Sequence, residues 1–284
     1  MLLHMTLQLL GKTSADKLYL QIQKEVKELS YSPCLAVILV GEDPASQVYV
    51  GKKIKKCAEL GFQSRKILLP EDTSEAALLK QIQSLNEDSE VDGILVQLPL
   101  PKHIHEATII ECIDAKKDVD VLTSRLAGKL MHNEHQIAPC TPSGIIRMLE
   151  DHDIQMEGKD AVVLGRSKIV GLPMSLLLQQ AGATVTLCHS KTKDIRSHTK
   201  RADIVIVAVG KPEFLGKEDF HKNSVVIDVG IHRREDGSLC GDVRQEEIRD
   251  YVAAYSPVPK GVGPMTIAML MWNNLQLSKL RRIK

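Results

Sequence analysis

An α/β protein of two domains is what the sequence predicts, and three observations predict it. Short apolar runs alternate with helix-like segments along most of the chain, the pattern of parallel sheets with right-handed crossovers. Residues 160–171, DAVVLGRSKIVG, are an apolar run that breaks at Gly165 into a glycine-bounded loop, and LPMSLLLQQAG follows as a helix. That strand–turn–helix start lets the backbone approach a pyrophosphate and turns a helix N-terminus toward its charge. The second domain is thereby expected to be a Rossmann-type dinucleotide-binding fold, with an interdomain cleft beside it. Finally, 284 residues suit about two domains, and either half is long enough to bury its own core.

In order, the first helix is expected over 14–29, where Leu18, Ile22, Val26 and Leu29 fall at helical spacing behind Thr13 or Ser14 as cap. CLAVILV at 34–40 lacks polar alternation and predicts a strand buried on both faces. GEDPAS leads into a helix near 45–60, which Gly61 closes. RKILL at 65–69 is a strand, Leu78, Ile82 and Leu85 mark a helix, and GILVQL at 93–98 is a strand halted by Pro99 and Pro101. Residues 114–140 have few apolar runs and read as an active-site loop and connection. TPSGIIRMLEDH at 141–152 predicts a linking helix with Thr141 as cap and Pro142 at its first position. Strands are then expected at 160–164, 183–188, 203–208 and 224–229, with helices between most of them. SPVPKGVGPM at 256–265 is too rich in proline and glycine for regular structure. A last helix over 265–281 carries Ile267, Leu270, Met271, Leu275 and Leu277 as its apolar positions. The expected division is 1–140 for a catalytic domain and 141–264 for the dinucleotide domain, with the C-terminal helix at 265–284 packing back on the first.

Bulk properties exclude several classes. A net charge of +1 argues against nucleic acid or a membrane surface as partner. The apolar runs are too short to cross a bilayer. The six cysteines (34, 57, 112, 140, 188 and 240) are dispersed with no C-x-x-C pair, so buried reduced thiols are expected, with neither a disulfide frame nor a metal site. MLLHMTLQLLGK lacks the features of a signal peptide, and a cytoplasmic protein is expected.

The glycine loop reads G-R-S-K-I-V-G rather than G-x-G-x-x-G, and a plain turn between strand and helix competes with the nucleotide reading. The end of the next strand favours the nucleotide. An NAD site usually places Asp or Glu about 20 residues on, where it accepts from the ribose 2′-hydroxyl. Here His189, Ser190, Lys191 and Thr192 follow TVTLC with no carboxylate. A carboxylate would repel a 2′-phosphate, whereas Ser190, Arg166 and Lys191 can bond one, so NADP is the expected cofactor. Gly210 in VAVGKP and Gly230 in DVGI lie at predicted strand ends, where an open parallel sheet binds its ligand.

Tyr49 and Lys53 are four residues apart and share a helix face. From spacing alone a lysine within KKIKK is usually a solvated charge. Gln97, at the end of a buried strand, either bonds a ligand or caps the sheet edge. Asp118 and Asp120 in KDVD lie in a loop, where acids are normally hydrated.

VGEDPASQVYVGKKIKKC, DGILVQLPLP, KDVD, PCTPSG, GRSKIVGLP, ATVTLCHSKT and PVPKGVGPMT occur in an order and at spacings that settle these ambiguities. From about residue 8 to 280 the chain resembles the bifunctional methylenetetrahydrofolate dehydrogenase/methenyltetrahydrofolate cyclohydrolase family. The resemblance implies that Tyr49 packs along the folate aminobenzoate and Lys53 is the catalytic lysine beside the one-carbon bridge. It implies that Gln97 tunes that lysine and Asp120 anchors the pterin, with Ser46 and the 257–265 loop (Pro257, Gly261, Gly263) lining the substrate cleft. Gly165, Arg166, Ser167, Ser190, Gly210 and Ile231 would bind NADP. Tetrahydrofolate derivatives, polyglutamylated forms among them, are the implied partners, and a homodimer the implied assembly. Val121 and Lys260 stand where the family commonly has glycine; a need for positive φ there would cost about 1–2 kcal/mol. Two rival readings explain fewer of these residues. A dehydrogenase of a small keto acid leaves Tyr49, Gln97 and Asp120 unexplained, and an NADP sensor has no use for the Lys53/Gln97/Asp120 set.

Overall fold

A computed structural model describes residues 6–282. The chain separates into two compact units. One holds the residues through Asp16 together with Pro139–Met269; the other holds Lys17–Ala138 and the residues from Leu270 on.

β1 (Leu7–Gln8) and α1 (Gly11–Lys27) open the described chain. Thr13 and Ser14 lie inside α1 rather than capping it, and Ser14 is buried. The second unit then alternates as its sequence predicts: β2 (Cys34–Val40), α2 (Pro44–Leu60), β3 (Gln63–Leu69), α3 (Glu75–Glu87) and β4 (Gly93–Val96). These strands form a parallel sheet in the order β3-β2-β4. β2 is buried at every position, as its unbroken apolar run requires. Ile38, Leu78, Ile82 and Ile94 meet in one core with Ile109 of α4 (Glu106–Cys112). Each such burial contributes about 1.5–3 kcal/mol. The expected loop at 114–140 contains a helix, α5 (Ser124–Met131), with Leu126 and Leu130 buried.

The first unit resumes with α6 (Cys140–Asp151), β5 (Asp160–Leu164), α7 (Gly171–Gln180), β6 (Thr184–Cys188), α8 (Ile195–Thr199) and β7 (Ile204–Val207). After a 3-10 turn at Lys217–Asp219 come β8 (Val225–Asp228), a hairpin of β9 (His232–Arg233) and β10 (Leu239–Cys240), α9 (Gln245–Ile248), β11 (Ala254–Tyr255) and α10 (Val262–Arg282). A parallel six-stranded sheet runs β1-β11-β8-β7-β5-β6. The order reverses between β5 and β7, the crevice where such sheets bind dinucleotides.

Two helix starts differ from expectation for one reason. α6 begins at Cys140, so Pro142 is third and Thr141 is no cap; its hydroxyl instead meets Thr266 Oγ1 at 3.0 Å. α10 begins at Val262, so Pro264 is also third, and the irregular stretch expected to 265 ends sooner. The first turn of a helix has no intrahelical use for its N–H groups, so proline fits there at more than one position. From Leu270 on, α10 belongs to the second unit. Asn273 donates to the carbonyls of Val119 and Ala138, both at 2.9 Å, and Arg282 pairs with buried Asp92 at 2.7 Å.

Candidate functional site

In the three-stranded unit, Asp43 caps α2 by accepting from the Ser46 amide at 2.7 Å, and Pro44 occupies the first position. That bond also holds the Asp43 carboxyl below its usual range. The helix so fixed carries Ser46, buried, then Tyr49, about a third exposed, and half-buried Lys53. Lys53 Nζ donates to Gln97 Oε1 at 2.9 Å, a contact 44 residues apart in sequence. Gln97 is itself locked: its amide N–H donates to Ile38 O at 2.9 Å, and Nε2 donates to Leu98 O at 2.7 Å. The side-chain oxygen therefore faces the lysine. Neighbouring cations point elsewhere. The Lys56 ammonium pairs with Glu59 and lies 4.2 Å from the Tyr19 ring centre, while Lys52 lies 5.6 Å from that of Tyr49.

The KDVD segment runs beside β4, where Ile94 pairs with Asp118. Lys117 is buried and donates to the carbonyls of Leu85 and Asp88 at 2.8 and 2.6 Å, capping the end of α3. Asp118 is not the hydrated acid expected. It is 1% exposed and accepts from the amides of Val121, Leu122 and Thr123 at 2.8–2.9 Å. Burial pushes its carboxyl up to about 6, against the pull of those hydrogen bonds. Asp118 thus shapes the loop, and Asp120, two residues on, is half-buried.

In the six-stranded unit, Gly165 directly follows β5 and has φ +110°. A methyl group at Gly165 would strike Ala208 O, and one at Gly171 would strike Gly165 O, so the loop closes on itself only with glycine at both ends. Ser167 Oγ accepts from the amides of Val170 and Gly171 at 3.1 and 3.4 Å, tying down the start of α7. Arg166 and Ser190 are exposed, and Arg166 has no carboxylate partner among the described residues. Gly210 adopts φ +66° in open space after β7, and Ile231 is 51% exposed after β8. Pro257 O accepts from the Gly261 amide at 2.7 Å, and Gly263 lies in the first turn of α10.

The sequence reading missed two buried carboxylates in this unit. Asp242 accepts from the amides of Val209, Gly210 and Lys211 at 2.7, 3.0 and 2.9 Å, and from His232 Nε2 at 2.7 Å. Asp228 accepts from the amides of Gly230, Asp242 and Val243 at 2.9–3.0 Å. Their signal was slight, a lone acid after glycine in CGDV and one closing an apolar strand.

Val121 and Lys260 both sit at positive φ, +60° and +86°. The consequences differ because Val121 is buried and Lys260 exposed. Lys260→Gly relieves about 1–2 kcal/mol of strain against roughly 0.5–1 kcal/mol of extra unfolded-chain entropy. A rise of up to about 1 kcal/mol in stability is expected, a few degrees in unfolding midpoint. Val121→Gly also forfeits a buried side chain, about 1.5–3 kcal/mol, and should stabilise nothing. Thermal melts of both variants check the pair; equal gains would contradict the account.

The matches to known proteins cover both units. Residues 9–120 match the tetrahydrofolate dehydrogenase/cyclohydrolase catalytic domain, and 139–282 match the NAD(P)-binding domain of the same family. A bifunctional protein FolD of Sulfurihydrogenibium sp. is 50% identical over 280 residues, covering 96% of this chain and 98% of that one. The crystal structure of the bifunctional FolD methylenetetrahydrofolate dehydrogenase/cyclohydrolase from Campylobacter jejuni superposes with a TM-score of 0.95 at 44% identity, over 97% and 99% of the two chains. The Trypanosoma brucei dehydrogenase-cyclohydrolase, solved with NADP and an inhibitor, does so at 0.93 and 34% identity, over 98% and 99%.

Proposed function

The chain belongs to the tetrahydrofolate dehydrogenase/cyclohydrolase family, and on that premise we propose how its residues divide the work of the two reactions. The protein is an NADP-dependent methylenetetrahydrofolate dehydrogenase and methenyltetrahydrofolate cyclohydrolase. It oxidises 5,10-methylenetetrahydrofolate to the 5,10-methenyl form and hydrolyses that to 10-formyltetrahydrofolate. The observation that carries the residue assignment is the Lys53–Gln97 bond, which aims a half-buried amine using a glutamine with no other freedom.

The catalytic domain of this reading spans 1–140 with the helix from 265, and the NADP domain spans 141–264. The six-stranded unit fits NADP. Its loop accepts no side chain at Gly165 or Gly171, its β6 end bears no carboxylate, and Arg166 lacks an acidic partner among the described residues. Arg166 and Ser190 hold the 2′-phosphate, Gly165 and Ser167 the pyrophosphate, and Gly210 and Ile231 the far end of the cofactor. Held by these residues, NADP would supply the hydride acceptor for the folate methylene carbon. The folate nitrogens stabilise the developing cation, so the chain supplies alignment rather than a strong base. Tyr49 lies along the aminobenzoate, Asp120 bonds the pterin donor edge, and Ser46, Pro257, Gly261 and Gly263 line the substrate. In the hydrolysis, Lys53 acts on the attacking water, taking its proton or holding it in place, while Gln97 fixes the amine. The reading extends to polyglutamylated substrates, a homodimer and a cytoplasmic setting, supported by the family resemblance. Among the described residues no helix is long and apolar enough to cross a membrane.

Mixing the protein with methylenetetrahydrofolate and NADP should produce the absorbance of reduced cofactor; no signal with active substrate refutes the dehydrogenase reading. Arg166→Ala should weaken NADP by about 10–100-fold, the loss of one or two charge-assisted bonds, and leave NAD binding nearly unchanged. Equal losses for both cofactors would remove Arg166 from the 2′-phosphate.

A further inference from the structure

We propose that Asp242, braced by His232 and Asp228, is a positioning residue that sets the loop after β7 in the shape receiving the nicotinamide half of NADP. The proposal rests on reading the β5 loop and the β7 and β8 ends as the cofactor site. In a doubly wound sheet the glycine loop after the first strand takes the pyrophosphate, and the strands beyond the reversal serve the second nucleotide. Here β5 and β6 form the first half, and β7 and β8 the second.

The backbone of the second half does not hold itself. Val209, Gly210 and Lys211 present three successive amides to one carboxylate, Asp242, whose side chain is wholly buried. Such a carboxylate accepts from donors fixed in space, so it dictates the peptide orientation at all three residues. His232 Nε2 adds the fourth contact and ties in the strand just after Ile231. Asp228 holds Asp242 in turn through the Asp242 amide, and it also bonds the amides of Gly230 and Val243. Gln245 reaches Asp228 at 3.5 Å and accepts from the Val258 amide at 3.0 Å, joining the loop after β11 to the same frame. Three strand ends thus share two carboxylates.

Two glycines are needed to make room. A methyl group at Gly230 would collide with the Asp242 carboxylate, and one at Gly241 with that of Asp228. Sequence gives no such duty to either. Neither carboxylate has a free acceptor for a ligand to take, so their action is on the loops and not on the cofactor itself.

The test measures calorimetric binding of NADP and of adenosine 2′,5′-bisphosphate, a fragment that reaches only the first half. Asp242→Asn exchanges an acceptor for an N–H group facing the Val209–Lys211 amides. NADP binding should weaken at least tenfold, while the fragment binds within twofold of the parent. Gly230→Ala, which displaces the same carboxylate from the opposite side, should repeat that split. His232→Ala should give a smaller loss, and His232→Gln, which restores an N–H donor, should recover most of it. Unchanged NADP affinity in both Asp242→Asn and Gly230→Ala overturns the proposal. So does an equal loss of NADP and fragment, which would mark a purely structural residue. A parent protein that binds neither ligand would instead refute the cofactor reading beneath it.

Discussion

Lys53→Met should abolish methenyl-folate hydrolysis while leaving measurable dehydrogenase turnover. Positioned proton transfer contributes about 10²–10⁴-fold, and that whole factor should vanish from the cyclohydrolase rate. Methionine preserves the volume and apolar stem of lysine, so α2 has no reason to shift, while the donor to Gln97 Oε1 is lost. Hydride transfer asks less of this group, because the cation it creates is stabilised inside the folate. Stopped assays following each reaction separately make the comparison. Equal loss in both would recast Lys53 as a binding residue; parental hydrolysis would remove it from the site. A pH profile of the parent then separates base from water-holder, since a base gains rate as the amine deprotonates.

Asp120→Ala should weaken folate by about 100-fold or more, with NADP affinity held within twofold. Two bonds from a carboxylate to a donor edge are each worth roughly 1.5–3 kcal/mol, and every 1.4 kcal/mol is a factor of ten. Asp120→Asn keeps one acceptor and should lose less. Asp118→Ala offers the contrast, because that side chain serves three backbone amides and its removal should lower stability along with folate affinity. Fluorescence titration with a folate analogue, beside thermal melts, reads both effects. Unaltered folate affinity in Asp120→Ala would strike the pterin anchor from the account.

The long apolar runs made the fold legible. CLAVILV, GILV and DAVVL are buried on almost every position in parallel sheets, and their unbroken character said so beforehand. Two-residue strands such as β1, β9, β10 and β11 left no periodicity to read, since their pairing is fixed by distant partners. α5 escaped notice because SRLAGKLM opens with no side-chain cap and includes a glycine. At the site, Lys53 and Gln97 were ambiguous singly, and family resemblance rather than spacing joined them. Asp242 and Asp228 left only a slight signal, because a buried acid announces itself mainly through the amides folded around it. In the acidic loop the expectation of hydrated acids fails at Asp118, which is interior because three backbone amides fold around it.

The interleaving of the two units has a bearing on synthesis. β1 is made long before its neighbour β11, which lies 247 residues further along, and the Asn273 and Arg282 ties of the other unit come later still. Neither unit is complete in a nascent chain until those late residues are made, and contacts of such long separation form slowly. A gene cut at residue 139 would therefore yield two fragments, each lacking a piece held by the other.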